Sequence, residues 1–259
     1  MPSTLLLRIE GPLQSWGGEG AALRRTTRSE PTFSGVIGLI ANALGRRRDE
    51  DVSDLGELRF GVRCDHPGHI MRDYQTAGAG PFPRTAPEFP GGIRQADGKI
   101  PTDRTKRILP TSREMISDAA FLCGLEGDPD LLRTVDDALA APARPLFLGR
   151  KANPPSRPLR LNDGLHVDVE LIEALKGYPL LDGRRSRVND AVRMLITSKP
   201  GEPWDQLVRD VPVGNAFVSR RFQTRRLRTF YLEQSSMPPY LLIDPDDPLD
   251  VWVPGDVVA

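Results

Sequence analysis

The stretch LLLRIEGPLQSW, residues 5–16, together with PTFSGVIGLIANALG, residues 31–45, decides how this chain folds. The first opens on an unbroken apolar run, Leu5 to Leu7 with Ile9, which predicts an interior strand over residues 4–10 that ends at Gly11-Pro12. The second carries Val36, Ile37, Ile40 and Leu44 at helical spacing, with Thr32 or Ser34 as the cap and Gly45 as the stop. Gly35 and Gly38 are poor helix formers, costing about 1 kcal/mol each against Ala. They make sense if a neighbouring strand or a nucleotide packs closely on that first turn. Residues 15–28 have no helical period and read as an exposed loop carrying Arg24, Arg25 and Arg28. A strand edge, a helix N-terminus and several guanidinium groups together favour a phosphate-bearing ligand.

Further elements follow in order. Residues 58–65 and 70–76 read as two strands joined by the turn His66-Pro67-Gly68-His69. Between residues 77 and 110, Pro81, Pro83, Pro87, Pro90, Pro101 and Pro110 exclude a regular core element. Residues 112–126 have the apolar density of a central strand. Asp128 then caps a helix lined by Leu131, Leu132, Val135 and Leu139, and residues 146–148 begin another strand. Strand, helix, strand pair, helix, strand is the order of a split βαβ sandwich, so the expected class is α+β with a ferredoxin-like (RRM-like) core over residues 1–150. A smaller β-rich C-terminal region is expected over 151–259, with strands near 165–172, 191–197 and 226–233.

The 35 basic and 35 acidic residues cancel, but they are segregated. Arg220, Arg221, Arg225, Arg226 and Arg228 crowd one stretch, whereas Glu233, Asp244, Asp246, Asp247, Asp250 and Asp256 mark an acidic tail. A local basic groove is compatible with that balance. Two cysteines are too few for a disulfide framework, and no run is long and apolar enough for a membrane, so a cytoplasmic protein is expected. Cys64, Asp65, His66 and His69 lack a recognised zinc spacing; no metal or other cofactor is expected, and His166 reads as structural.

The segments at 5–17, 31–45, RDYQTAGAG (72–80), SREMISDAAFLCGLEG (112–127) and PLFLGRKANPP (145–155) resemble, in the same order, the CasD family. This is the crRNA-handle-binding subunit of the type I-E CRISPR Cascade complex, in the wider RAMP group of RNA-binding proteins. The likeness covers about the first 155 residues. It implies a long β-hairpin thumb emerging from the core, here the insertion at about 77–111, which crosses the RNA and reaches the adjacent backbone subunit. It also implies an RNA contact for the arginine at the thumb base, Arg113. The partners implied are the crRNA 5′ handle, neighbouring Cascade subunits including the large subunit, and target DNA only indirectly.

Within that frame the candidate RNA-binding residues fall into six groups. Gln14, Ser15 and Trp16 lie at the end of the first strand, where Trp16 either stacks on a base or packs over the sheet end. Arg24, Arg25 and Thr26 would bridge phosphates, and Ser34 and Gly35 would donate helix N–H groups. Tyr74, Gln75 and Thr76 are base readers; if Tyr74 points in, Gln75 points out. Arg104, Lys106, Arg107 and Arg113 would charge the return limb of the insertion, and Arg150 and Lys151 would meet the ligand beyond Gly149. The competing reading, a metal-independent endoribonuclease, needs Tyr, Lys and His groups converging on a 2′-hydroxyl, and Arg46-Arg47-Arg48 after Gly45 offers none. A third reading is an assembly protein that touches only other subunits.

Overall fold

The computed structural model describes residues 2–18, 24–77, 109–181 and 191–233. Its centre is β1 (Ser3–Gln14), antiparallel on one side to β5 (Leu109–Gly127) and on the other to β6 (Arg160–His166). Leu5, Leu7 and Ile9 bury into the cluster beneath α1 (Phe33–Ala43) and α3 (Pro129–Ala140), while Leu6 buries on the opposite face under α4 (Leu171–Gly177). Cover on both faces is why β1 is apolar without alternation. The strand does not end at Gly11-Pro12. It continues to Gln14, because Pro12 falls at a gap in the ladder between Gly11↔Ala119 and Leu13↔Ser117, where its missing N–H costs no bond.

β3 (Arg59–His66) lies on the other side of β5, giving the order β6-β1-β5-β3. Helices α1 and α3 make the two crossovers within this four-stranded set. Thr32 is the cap of α1, its hydroxyl accepting from the Gly35 N–H, and Asp128 with Pro129 starts α3. The ladder continues outward through β7 (Val192–Thr197), β9 (Phe222–Leu232) and β8 (Gln206–Pro212). The sheet therefore crosses the boundary expected near residue 150. Two short helices, α2 (Ser53–Gly56) and α5 (Ala216–Ser219), complete the described elements.

Three further expectations are corrected. β3 and β4 (His69–Ala77) are not a tight hairpin: they run end to end along β5, pairing with its C-terminal and N-terminal halves respectively. The residues between them form a jog, matched on β5 by Asp118 at φ 55° and closed by the His66 ring against the Asp118 carbonyl. Gly68, at φ 64°, sits where a Cβ would strike the Ser117 carbonyl oxygen. Residues 146–148 form no strand; Leu148 instead buries and bonds through its carbonyl to the Ser15 N–H. The strand expected at 165–172 splits into β6, a turn and α4. Helix α4 is tied to β3 by buried Arg63, which pairs with Asp65 and donates to the Leu175, Tyr178 and Pro179 carbonyls at the helix end.

Candidate nucleic-acid interface

Beyond the jog, β4 and the first half of β5 form a two-stranded ribbon, Ala77 facing Leu109 and His69 facing Ser117. Residues 78–108, with Arg104, Lys106 and Arg107, lie outside the described residues. So does most of the insertion expected at 77–111. Ile70, Met71 and Tyr74 are exposed on the ribbon, Tyr74 by 67%. Gln75 and Thr76 are exposed too, so the expected choice between Tyr74 and Gln75 does not arise: the ribbon has no buried face there. Gln75 is turned locally, its amide donating to Asp73 at 2.7 Å.

The loop after β1 returns alongside this ribbon. Arg24 and Arg25 form the short strand β2 (Arg24–Arg25), parallel to β5 and opposite Ser112 and Arg113. Thr27 pins the base of the loop, accepting from the Trp16 N–H at 2.9 Å, while the Arg28 N–H donates to the Trp16 carbonyl at 2.8 Å. Register then sorts the cations. Arg25 and Arg113 pair laterally, with Asp73 across from Arg113. Arg150 joins them, its guanidinium 3.4 Å from the Glu114 carbonyl. Burial first, then the charges of Arg113 and Arg25, hold Arg150 below the ordinary arginine range, with Asp73 opposing. Like charges gathered at partial burial are an arrangement that an anion would relieve. Arg24 and Arg72 share Glu114 instead, at 3.9 and 3.5 Å, and both stay well exposed. Such loose surface pairs are worth little and yield readily to phosphate. Arg72 was missed in the sequence, although its place two residues from Tyr74 on one strand was the available signal. Lys151 is exposed in the turn after Arg150.

Other candidates serve the fold. Trp16 is fully buried and its indole Nε1 donates to Gln14 Oε1 at 3.0 Å; Gln14, also buried, donates to the Ala119 carbonyl at 2.7 Å. Of its two readings Trp16 takes the second, packing over the sheet end. Ser15 is buried beside Gly149, whose φ of +82° brings its α-carbon against the Ser15 carbonyl. The helix N-terminus is not open either. Asp210 Oδ2, from β8, accepts the Phe33 N–H at 2.8 Å, and Thr32 holds the Gly35 N–H at 3.3 Å. The Phe33 and Gly35 N–H groups are therefore taken by acceptors the protein itself provides. What packs on the two glycines is the Trp16 ring at Gly35 and the Phe217 ring at Gly38.

The nuclease-type groups are scattered among the described residues. His66 and exposed His69 sit at the jog, and Arg46 and Arg47, beyond the far end of α1, pair with Asp54 and Asp49. Cys64 and Cys123 are buried thiols, and burial pushes Cys123 far above the usual thiol range.

The chain matches the family described as CRISPR-associated protein (Cas_Cas5) over residues 4–228, so the likeness reaches well past residue 155 and into β9. It is 32% identical over 190 residues to the CRISPR system Cascade subunit CasD of Escherichia coli (strain K12), covering 71% of this chain and 80% of that protein. Among solved structures it is similar to a "Crystal structure of Cas protein", with 39% identity, a TM-score of 0.67 and coverage of 91% of this chain and 98% of the other. It is also similar to a chain of a "CRISPR RNA-guided surveillance complex", with 31% identity, a TM-score of 0.69 and coverage of 89% and 90%. The chain belongs to the CRISPR-associated Cas5 family.

Proposed function

We propose that this protein is the non-catalytic subunit of a CRISPR surveillance complex that grips the 5′ handle of the crRNA. The observation that carries the reading is the convergence of Arg25, Arg113 and Arg150, from three separate segments, midway along the β4–β5 ribbon. The order β6-β1-β5-β3 with crossovers α1 and α3 is read as the ferredoxin-like core, and the ribbon as the base of the thumb. Phosphates would take the arginine cluster, with Arg24 and Arg72 joining once released from Glu114. Exposed Tyr74 would stack a base, and Gln75 and Thr76 would read edges of splayed bases. The work is positioning rather than bond making. A subunit that caps the filament of backbone subunits in the cytoplasm, beside the large subunit, needs no cofactor for it. RNA held jointly with a neighbour also strengthens the assembly.

The test is fluorescence anisotropy with labelled handle RNA across a salt series. Arg25→Ala, Arg113→Ala and Arg150→Ala should each weaken binding by about tenfold and lower the salt slope by ~0.7 per lost phosphate contact. Three variants with unchanged affinity and slope would sink the proposal, and specific cleavage of repeat RNA without metal would replace it with the nuclease reading.

A further inference from the structure

The α4 side of the sheet is covered over β1, β3 and β5, where that helix packs. Phe230 and Leu232 close the margin of the covered region. Further out, β9 and β8 carry the sheet onward and turn the same face to solvent. Alternation along β9 puts Arg226 and Arg228 on that face with Phe230, while Arg225 and Leu227 bury on the other. Leu207 on β8 lies directly across from Arg226, and Arg209 across from Thr224. Leu207 is 59% exposed and Trp204, just before β8, 45%.

Two observations distinguish this patch from an ordinary solvated surface. First, its arginines lie beside rings: the Arg226 guanidinium is 5.5 Å from the Trp204 centroid, and that of Arg228 is 4.5 Å from the Phe230 centroid. Second, several arginines elsewhere in the sheet have acids of their own. Arg59, Arg63, Arg160, Arg193 and Arg225 each form a salt bridge, whereas none is made by Arg209, Arg226 or Arg228 among the described residues. Among the described residues this charge makes no ion pair. Arg226 and Arg228 are two residues apart on a strand, about 6.7 Å, comparable to the step between successive phosphates of an extended polynucleotide. Trp204 offers a ring for a base, since stacking with arginine alongside is the usual combination in single-strand recognition.

We propose that the exposed face of β8 and β9 is a second binding surface for single-stranded polynucleotide, with Arg209, Arg226 and Arg228 on its phosphates and Trp204 against a base. This surface goes beyond the handle-binding reading and does not depend on it, because it uses different strands and different residues.

The experiment uses the full-length chain carrying Arg25→Ala and Arg113→Ala, so that the ribbon contributes little, and a short fluorescent oligouridine as probe. That background should still bind the probe. Adding Arg226→Ala with Arg228→Ala should weaken binding at least tenfold and flatten the salt slope by about 1.4, two contacts' worth. Trp204→Leu should weaken it by roughly tenfold, and Arg226→Lys should retain the slope. Urea midpoints confirm folding; should the double variant not fold, Arg209→Ala and Trp204→Leu carry the test. Unchanged affinity and slope overturn the proposal, as does a background that no longer binds oligouridine. Normal oligouridine binding by a variant lost from the assembled complex also overturns it, assigning the face to a protein partner. Failure here leaves the handle-RNA measurements with Arg25, Arg113 and Arg150 untouched, so the two readings stand or fall separately.

Discussion

Asp210 shows how much one buried carboxylate can organise. It accepts the Phe33 N–H at the start of α1 and receives the Arg225 guanidinium from the next strand at 2.6 and 2.9 Å. Arg225 in turn lies over the stacked rings of Phe33 and Phe60. Helix, strand and aromatic pair are thus joined through two side chains that are both nearly sealed from water. Removing one partner leaves the other as an unpaired buried charge, whereas removing both does not. Asp210→Ala should therefore cost about 3–5 kcal/mol in urea denaturation, and Asp210→Leu with Arg225→Met should recover most of it. A double variant as unstable as the single one would show that the pair itself, not the orphaned charge, dominates. Nothing local announces this contact. Phe33 and Asp210 are brought together by the sheet, so a helix N-terminus that looks free in the chain is already filled.

At the scale of elements, the ribbon and the loop beside it form the working unit. β2 is only two residues long and cannot hold itself; it is positioned by β5 on one side and by the pinned loop base on the other. Thr27 is the pin. Thr27→Val keeps the shape, removes the acceptor for the Trp16 N–H and should lower stability by about 1 kcal/mol. The same change should weaken handle-RNA binding severalfold by letting Arg24 and Arg25 drift, whereas Thr134→Val on α3 should leave RNA affinity alone. Equal RNA affinities for the two variants would dissociate the loop from binding. The long strand at 112–126, both main helices and the strands at 191–197 and 226–233 were legible, because apolar period and capping residues act over a few neighbours. The end-to-end course of β3 and β4 was not. His66-Pro67-Gly68-His69 has the residues of a tight turn, and only the shared partner β5 makes it a jog.

For the whole molecule, β3 is the joint. It pairs with β5 on one edge and β7 on the other, and α4 seals the face on which Leu6 and Leu122 meet Met194 and Ile196. A chain stopped at residue 150 would lose β6 from the edge of β1, β7 from the edge of β3, and α4 from that face. Open edges and an uncovered apolar face do not make a stable domain. The full chain should unfold in one transition with coincident near- and far-UV signals, and the truncated chain should show no cooperative transition. A sharp, reversible transition in the fragment would reveal an independent N-terminal domain.

By itself, the sequence settled that β1, α1, β5, α3, β7 and much of β9 form, though not α4 or β8, which family motifs the chain carries, and that cations cluster after β1 and near residue 113. Those properties depend on spacing along a few residues, and spacing survives in one dimension. Which cations gather, and which polar groups remain available, was decided only in three dimensions. Arg25 meets Arg113 across a ladder and Arg150 joins them from the segment after Gly149, Asp210 occupies a helix end, and Trp16 turns inward to Gln14 and Gly35. Partner choice in each case belongs to strand register and burial, and both are set by contacts between residues far apart in the chain.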